Sequence, residues 1–205
     1  MLVLHGAGSQ KENHSDFART SAARGWLALA YDQRGHGASE DEMAPEALAD
    51  VTLMAGFLAG LPGVGGPICA RGSSMGAFMA IHAAATSPAI SGVIAVCPAS
   101  EDGLRRGLRD GRFDFEAGPE AVASLDAWLR DADLRDAVEL MAGKPIVLIH
   151  ARGDEDVPFT WSEELHARAA EPRKLIVVPG GHHRSAQHDA ELQEVGLRWL
   201  ERALA

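Results

Sequence analysis

A short apolar run, Pro67-Ile68-Cys69-Ala70, leads into Gly72-Ser73-Ser74-Met75-Gly76 and then into the helix-like stretch Met75 to Thr86. The order reads as strand, tight turn and helix, and it constrains this chain more than any other segment. At so sharp a bend a side chain on either flanking glycine would collide with the neighbouring strand or helix. The Ser74 hydroxyl is thereby pushed clear of the backbone, where a base reaches it from one side and a substrate carbonyl from the other. Five residues alone are a weak signal. A glycine-rich turn whose serine caps the following helix has the same sequence, so the rest of the chain must decide.

Along the chain, strand-like and helix-like segments alternate. Leu2-Val3-Leu4, Trp26 to Tyr31, the Ile68 run, Gly92 to Val96, Ile146 to Ile149 and Leu175 to Val178 read as strands. The continuous apolar runs among them suit strands buried on both faces. Helices are expected over Asp16 to Arg24, Pro45 to Leu61, Met75 to Thr86, Ser162 to Ala170 and Gln187 to Leu204. The last carries Leu192, Val195, Trp199 and Leu200 along one stripe. Alternation of this kind predicts an α/β protein with a mostly parallel sheet of about six strands and helices on both faces. Chemistry in such sheets gathers at the carboxyl ends of the strands.

The segment from about Ser100 to Gly143 breaks the alternation. It is rich in charge and glycine, yet holds Leu104, Phe113, Phe115, Leu125, Trp128 and Leu129. We read it as a short, mostly helical, cap-like insertion (about 100–143) over the carboxyl edge of the sheet. A surface excursion with no part in binding is the alternative. Its Arg105, Arg106, Arg109 and Arg112 would meet an anionic substrate or form a solvated face balanced by nearby acids.

Composition bounds the remaining choices. With 205 residues, 46% of them hydrophobic, the chain can build one domain spanning 1–205 with a substantial core. A net charge of −10 argues against a nucleic-acid or anionic-membrane surface. No apolar run approaches membrane-spanning length. Met1 to Leu4 runs straight into His5-Gly6 with no charged leader, so no secretory signal is expected and the expected location is cytoplasmic. Cys69 and Cys97 both lie in apolar strand-like segments and read as small buried hydrophobes rather than a disulfide or metal site.

Two later strands end in chemistry-bearing loops. Ile146 to Ile149 runs into His150-Ala151-Arg152-Gly153-Asp154-Glu155-Asp156-Val157-Pro158, and Leu175 to Val178 into Pro179-Gly180-Gly181-His182-His183-Arg184. An acid and a histidine thus follow the serine in chain order. Strand ends converge on one edge, so the three can meet there. The histidine would take the serine proton, and the carboxylate would fix its tautomer and stabilise the imidazolium.

With these segments the chain resembles the α/β-hydrolase superfamily, as a compact serine esterase- or lipase-like member. Leu4-His5-Gly6-Ala7-Gly8 is similar to the family's oxyanion loop, and Asp32-Gln33-Arg34-Gly35-His36-Gly37-Ala38-Ser39 to its D-x-R-G-H-G-x-S turn. Gly72 to Gly76 resembles the nucleophile elbow, Asp154 to Pro158 the D-x-x-V-P acid loop, and Gly180 to Arg184 the histidine loop. The motifs stand in family order and cover the chain from end to end.

The resemblance implies Ser74 as nucleophile, Asp154 as acid with Asp156 and Glu155 as rivals, and His183 as base. His182 would suit a shorter variant of the histidine loop. The oxyanion hole would use the backbone N–H groups of Ala7 and Met75, with Gly6 and Gly8 letting the loop bend toward the substrate. No cofactor or metal is implied, although His182, His183, His188 and Asp189 could be drawn as metal ligands. The expected substrate is a small-molecule carboxylic ester with a short or small acyl group. The alternatives are a thioesterase or peptidase using the same residues, and a catalytically silent binding module.

Asp32, Arg34 and His36 read as a loop-stabilising set, His5 as orienting the oxyanion loop and His82 as a packed histidine. Family members usually have two strands before the His-Gly loop, and here the sequence starts inside that third strand. Either the hydrolase is minimal or its start is truncated. Trp26 to Tyr31 is then expected at the sheet edge, where its open ladder offers pairing to a second copy of the chain. Arg71 stands where the family often has an apolar residue.

Overall fold

The computed structural model describes residues 1–205. Its centre is a six-stranded sheet of order β2-β1-β3-β4-β5-β6. The strands are β1 (Leu2–Leu4), β2 (Leu29–Ala30), β3 (Cys69–Ser73), β4 (Gly92–Val96), β5 (Ile146–Ala151) and β6 (Arg173–Val178). Every neighbouring pair is parallel. The apolar runs alternate between two cores as the two-residue period of a strand requires. Leu2, Leu4, Ala70, Val93, Ala95, Ile146 and Leu148 face one core. Val3, Cys69, Ile94, Val96, Val147 and Ile149 face the other.

Helices α1 (Ser15–Ala23) and α9 (Ala190–Leu204) cover the second core, while α2 (Ala47–Ala59), α3 (Met75–Thr86) and α7 (Phe159–Arg168) cover the first. Helix α3 begins at the predicted residue and is buried almost all round, which its alanine-rich sequence allows. Between β4 and β5 lie α4 (Glu101–Arg109), α5 (Pro119–Asp131) and α6 (Leu134–Leu140). Helix α6 packs against α3 and buries Leu134, Ala137 and Val138 in the main core. Helices α4 and α5 pack on each other and present Leu104, Leu125 and Leu129 to the same core.

Several boundaries differ from the sequence expectation. Strand β2 is two residues long because it lies at the sheet edge, against the short β1 alone. The closing helix is two helices, α8 (Ser185–His188) and α9. Asp189 breaks it by turning extended and accepting the Leu192 N–H at 3.0 Å, the geometry of an N-cap. The buried stripe of α9 is Gln193, Gly196, Leu197 and Leu200, rotated by about one position from the predicted one. Polar Gln193 can be buried because its amide donates to Asp16 and to the Gln187 carbonyl.

Candidate active site

Strand β3 ends at Ser73 and α3 begins at Met75, so Ser74 alone makes the turn. Its φ of 51° and ψ of −116° lie where a side-chain-bearing residue rarely sits, a conformation that costs on the order of 1–3 kcal/mol. Close packing imposes it. A Cβ at Gly72 would stand 2.2 Å from the Gly76 carbonyl oxygen, and one at Gly76 would stand 2.4 Å from that of Leu4. The two glycines therefore let α3 press onto β3 and β1. The Ser74 carbonyl is pinned by the N–H groups of Ala77, Phe78 and Ala99, which fixes the turn from below.

The oxyanion-loop candidate follows β1 and passes directly beside this turn. A Cβ at Gly6 would lie 3.3 Å from the Ser74 Cβ. His5 holds the loop from beneath: its Nδ1 donates to the Gly6 carbonyl at 2.8 Å, while its Nε2 accepts the Gln33 N–H at 3.0 Å. Burial pushes the His5 pKa down to about 4, which keeps the ring neutral and so able to accept. The Met75 N–H belongs to the first turn of α3 and has no acceptor within the helix.

Asp154 and His183 follow β5 and β6, which are neighbours in the sheet, and the structure brings them together. His183 Nδ1 donates to Asp154 Oδ2 at 2.7 Å. The Asp154 carboxylate is fully buried and the His183 side chain 9% exposed. His182 points to solvent and does not reach Asp154. Of the rival acids, Glu155 accepts the His183 backbone N–H at 3.0 Å, and the Asp156 N–H donates to Asp154 Oδ1 at 2.9 Å. Both rival carboxylates are exposed, and they shape the loop around Asp154.

Two residues outside the predicted set complete this centre. His150 Nε2 lies 3.2 Å from Asp154 Oδ2 and also donates to the Val157 carbonyl at 3.1 Å. Its Nδ1 accepts from the Ser162 hydroxyl at 2.6 Å, which fixes the tautomer. The Cys97 thiol faces the same carboxylate, and burial pushes its pKa up, so it stays a neutral donor. Burial alone would raise the Asp154 pKa. Hydrogen bonds from His150, His183 and the Val157 N–H outweigh it and hold the carboxyl far below the usual carboxylate range. Cys97, His150 and Asp154 are metal-ligating types within 4.8 Å of one another, but here they are engaged with each other. The sequence signal for His150 was its place four residues before Asp154. For Cys97, at the end of an apolar strand, there was none.

Ser74 and His183 line one cleft of about 300 Å³, together with Ala7, Ala99, Leu104 and Phe113, and with Arg112 and Asp156 on its polar side. With His183 Nδ1 held by Asp154, Nε2 is the nitrogen left to face that cleft. A wider groove of about 400 Å³ near Met1, Trp26 and Pro67 carries Arg24 and Glu201, which are spent on each other.

The other polar residues singled out in the sequence are occupied locally. Asp32 binds the Lys11 ammonium and the N–H groups of Lys11 and Ala38. Arg34 pairs with Asp50 and Asp41, and His36 Nδ1 donates to the Arg34 carbonyl. His188 reaches Asp16 at 3.1 Å and stacks on His14. Arg105 and Arg109 are paired with Asp126.

A parallel sheet of this order, with a strained serine turn after β3 and an acid–histidine pair after β5 and β6, defines the α/β-hydrolase fold. The model of the family described as serine aminopeptidase, S33 (Hydrolase_4) matches residues 1–112, more than half of the chain, and the chain belongs to that family. Among solved structures, it is similar to DcsB in complex with a substrate analogue, at a TM-score of 0.81 and 16% identity over all of this chain and 90% of that one. It is also similar to Est1E from Butyrivibrio proteoclasticus with ferulic acid bound, at a TM-score of 0.77 and 21% identity over 99% of this chain and 87% of that one. Likeness at these identities establishes the fold. A curated relative, "Uncharacterized protein Rv2307c" of Mycobacterium tuberculosis, is 28% identical over 191 residues, covering 89% of this chain. The chain spans 62% of that relative's length. No helix is long and apolar enough to cross a membrane.

Proposed function

We propose that the protein is a serine hydrolase that cleaves carboxylic esters of short or small acyl groups. The observation that carries this reading is the His183–Asp154 hydrogen bond behind a histidine that shares one cleft with Ser74. Ser74 Oγ attacks the ester carbonyl while His183 Nε2 takes its proton. Asp154 stabilises the imidazolium that forms without itself being protonated. The N–H groups of Ala7 and Met75 receive the oxyanion, and removal of one such donor typically costs about 10²–10³ in rate. His183 returns the proton to the departing alcohol. A water deprotonated by the same nitrogen then releases the acid and restores Ser74.

Amide cleavage at a free amino terminus is the second reading. The description of the matching family and the exposed Asp156 carboxylate in the cleft, able to hold an ammonium group, favour it. Turnover of p-nitrophenyl acetate and of alanine p-nitroanilide by wild type and Ser74→Ala separates the readings. Serine-dependent release from the acetate alone supports the esterase. Release from the anilide at comparable kcat/KM supports the peptidase. No serine-dependent release from either leaves a binding module.

A further inference from the structure

Behind the cleft lies a second, much smaller hollow of about 20 Å³, whose ten lining residues are all hydrophobic. It has room for about one water and offers it no polar partner, so it stays dry. Met75 and Met79 of α3, Leu125 and Trp128 of α5, and Leu104 and Phe113 enclose it. Leu104 and Phe113 also line the cleft, and Met75 is the residue next to Ser74. These two side chains therefore stand between the serine and a wholly apolar slot.

Phe113 is held in place by an unusual choice in α4. Gly107 lies inside that helix, where glycine weakens it relative to alanine. A Cβ there would come 2.2 Å from Phe113 Cζ. The glycine is thus the seat of the ring. A tight return of the chain, with Gly111 at φ 63° and the Arg112 N–H donating to the Gly107 carbonyl at 2.9 Å, brings Phe113 back onto the helix. On its far side Phe113 stacks on Phe115 at 5.7 Å, and Phe115 leans on His36 at 5.2 Å. The ring is therefore fixed from both sides.

We propose that Phe113, seated on Gly107, is the partition that sets acyl-chain length. With the ring in place an acyl chain stays in the cleft, whose other wall carries Arg112, Asp156 and His183. Added methylenes run into the Phe113 ring or out toward solvent, so the substrates are esters of short acids such as acetate to butyrate. Without the ring the cleft and slot merge, and a longer straight chain enters among the methionines and leucines. Each methylene buried there is worth roughly a fourfold gain in kcat/KM. This inference rests on Ser74 being the attacking group.

The test is a series of p-nitrophenyl esters from acetate to octanoate on wild type, Phe113→Ala and the milder Phe113→Leu, each checked for a cooperative melt. Labelling rates of Ser74 by ethyl and octyl fluorophosphonates give the same comparison without a deacylation step. The expected result is a flat or falling profile for wild type. The hexanoate-to-acetate ratio rises more than tenfold in Phe113→Ala, and by less in Phe113→Leu. Ser74-dependent acetate turnover with the wild-type profile in both variants would overturn the partition and leave the hydrolase reading standing. Absence of Ser74-dependent turnover of every ester would remove that reading, and the partition with it.

Discussion

Two charged side chains are buried in the interior, Arg71 on β3 and Asp154 after β5, and they are treated in opposite ways. Asp154 receives His183 Nδ1, His150 Nε2 and the N–H groups of Asp156 and Val157. Arg71, 1% exposed on β3, has no carboxylate in contact. Its guanidinium donates to His14 Nδ1, the Ser73 hydroxyl and the Gln187 carbonyl, stands 5.1 Å from the Phe17 ring centre, and leaves Nε without a partner. Burial lowers the Arg71 pKa to about 10. Each charge faces a histidine, and the contrast lies there. Asp154 accepts the Nδ1 proton of His183, which borders the cleft. Burial first, and then Arg71, push His14 down to about 3, so that ring is neutral at neutral pH. One buried charge holds a histidine at the cleft, the other a histidine kept neutral behind it. The first reads as chemistry and the second as architecture, tying β3 to α8 behind the histidine loop.

The largest expected effect tests the first half of that contrast. Asp154→Asn should lower kcat by about 10⁴ while the protein still folds, because the amide holds His183 in the wrong tautomer. Steady-state kinetics with a melting curve check this, and a loss under tenfold would break the comparison. Arg71→Met comes next. It should cost about 1–3 kcal/mol of stability, from acceptors left without donors, while kcat stays within tenfold. Denaturant midpoints and kinetics on the same preparation read both numbers. A folded Arg71→Met without turnover would make the arginine part of the chemistry.

The effect spread most widely over conditions is in pH. His5 and His14 have folded pKa values of about 4 and 3, against about 6.5 in an unfolded chain. Below pH 6.5 the unfolded chain takes up protons that the folded chain refuses, so stability falls as pH drops, by up to about 1.4 kcal/mol per pH unit for each histidine. Asp154, whose folded pKa is depressed, contributes stability that is present above about pH 4 and lost only below it. Between about pH 5 and 6.5 the loss therefore belongs mostly to the buried histidines, His82 among them. In that window His14→Gln should reduce the slope of unfolding free energy against pH by about one proton.

The strands were legible in the sequence because strands buried on both faces are continuous apolar runs, and the elbow because only glycine permits the approach of α3 to β1. The pairing of Asp154 with His183 rather than His182 was legible only as a motif. In the structure the loop turns through two positive-φ glycines, Gly180 and Gly181, and His183 is buried against Asp154 while His182 is exposed. Cys97 was not legible as part of the centre, and His150 only through its place four residues before Asp154, since a residue at the end of a buried strand looks like packing until its neighbours are placed. The break at Asp189 was hidden because the helical period runs through it, whereas the cap that ends it depends on a single side-chain hydrogen bond. Arg71 stood out in the sequence as an anomaly. Its partners come from β3, α8 and the turn before α1, segments that only the fold unites.

In the proposed reaction Ser74 attacks, and His183, backed by Asp154, makes it reactive. Incubation with a fluorophosphonate followed by intact-mass and peptide analysis tests it most directly. One adduct per chain on the Ser74 peptide is predicted for wild type, none for Ser74→Ala, and labelling slowed by about 10³ or more for His183→Ala. An adduct on another residue, or equal labelling of wild type and His183→Ala, would rule out Ser74 activated by His183.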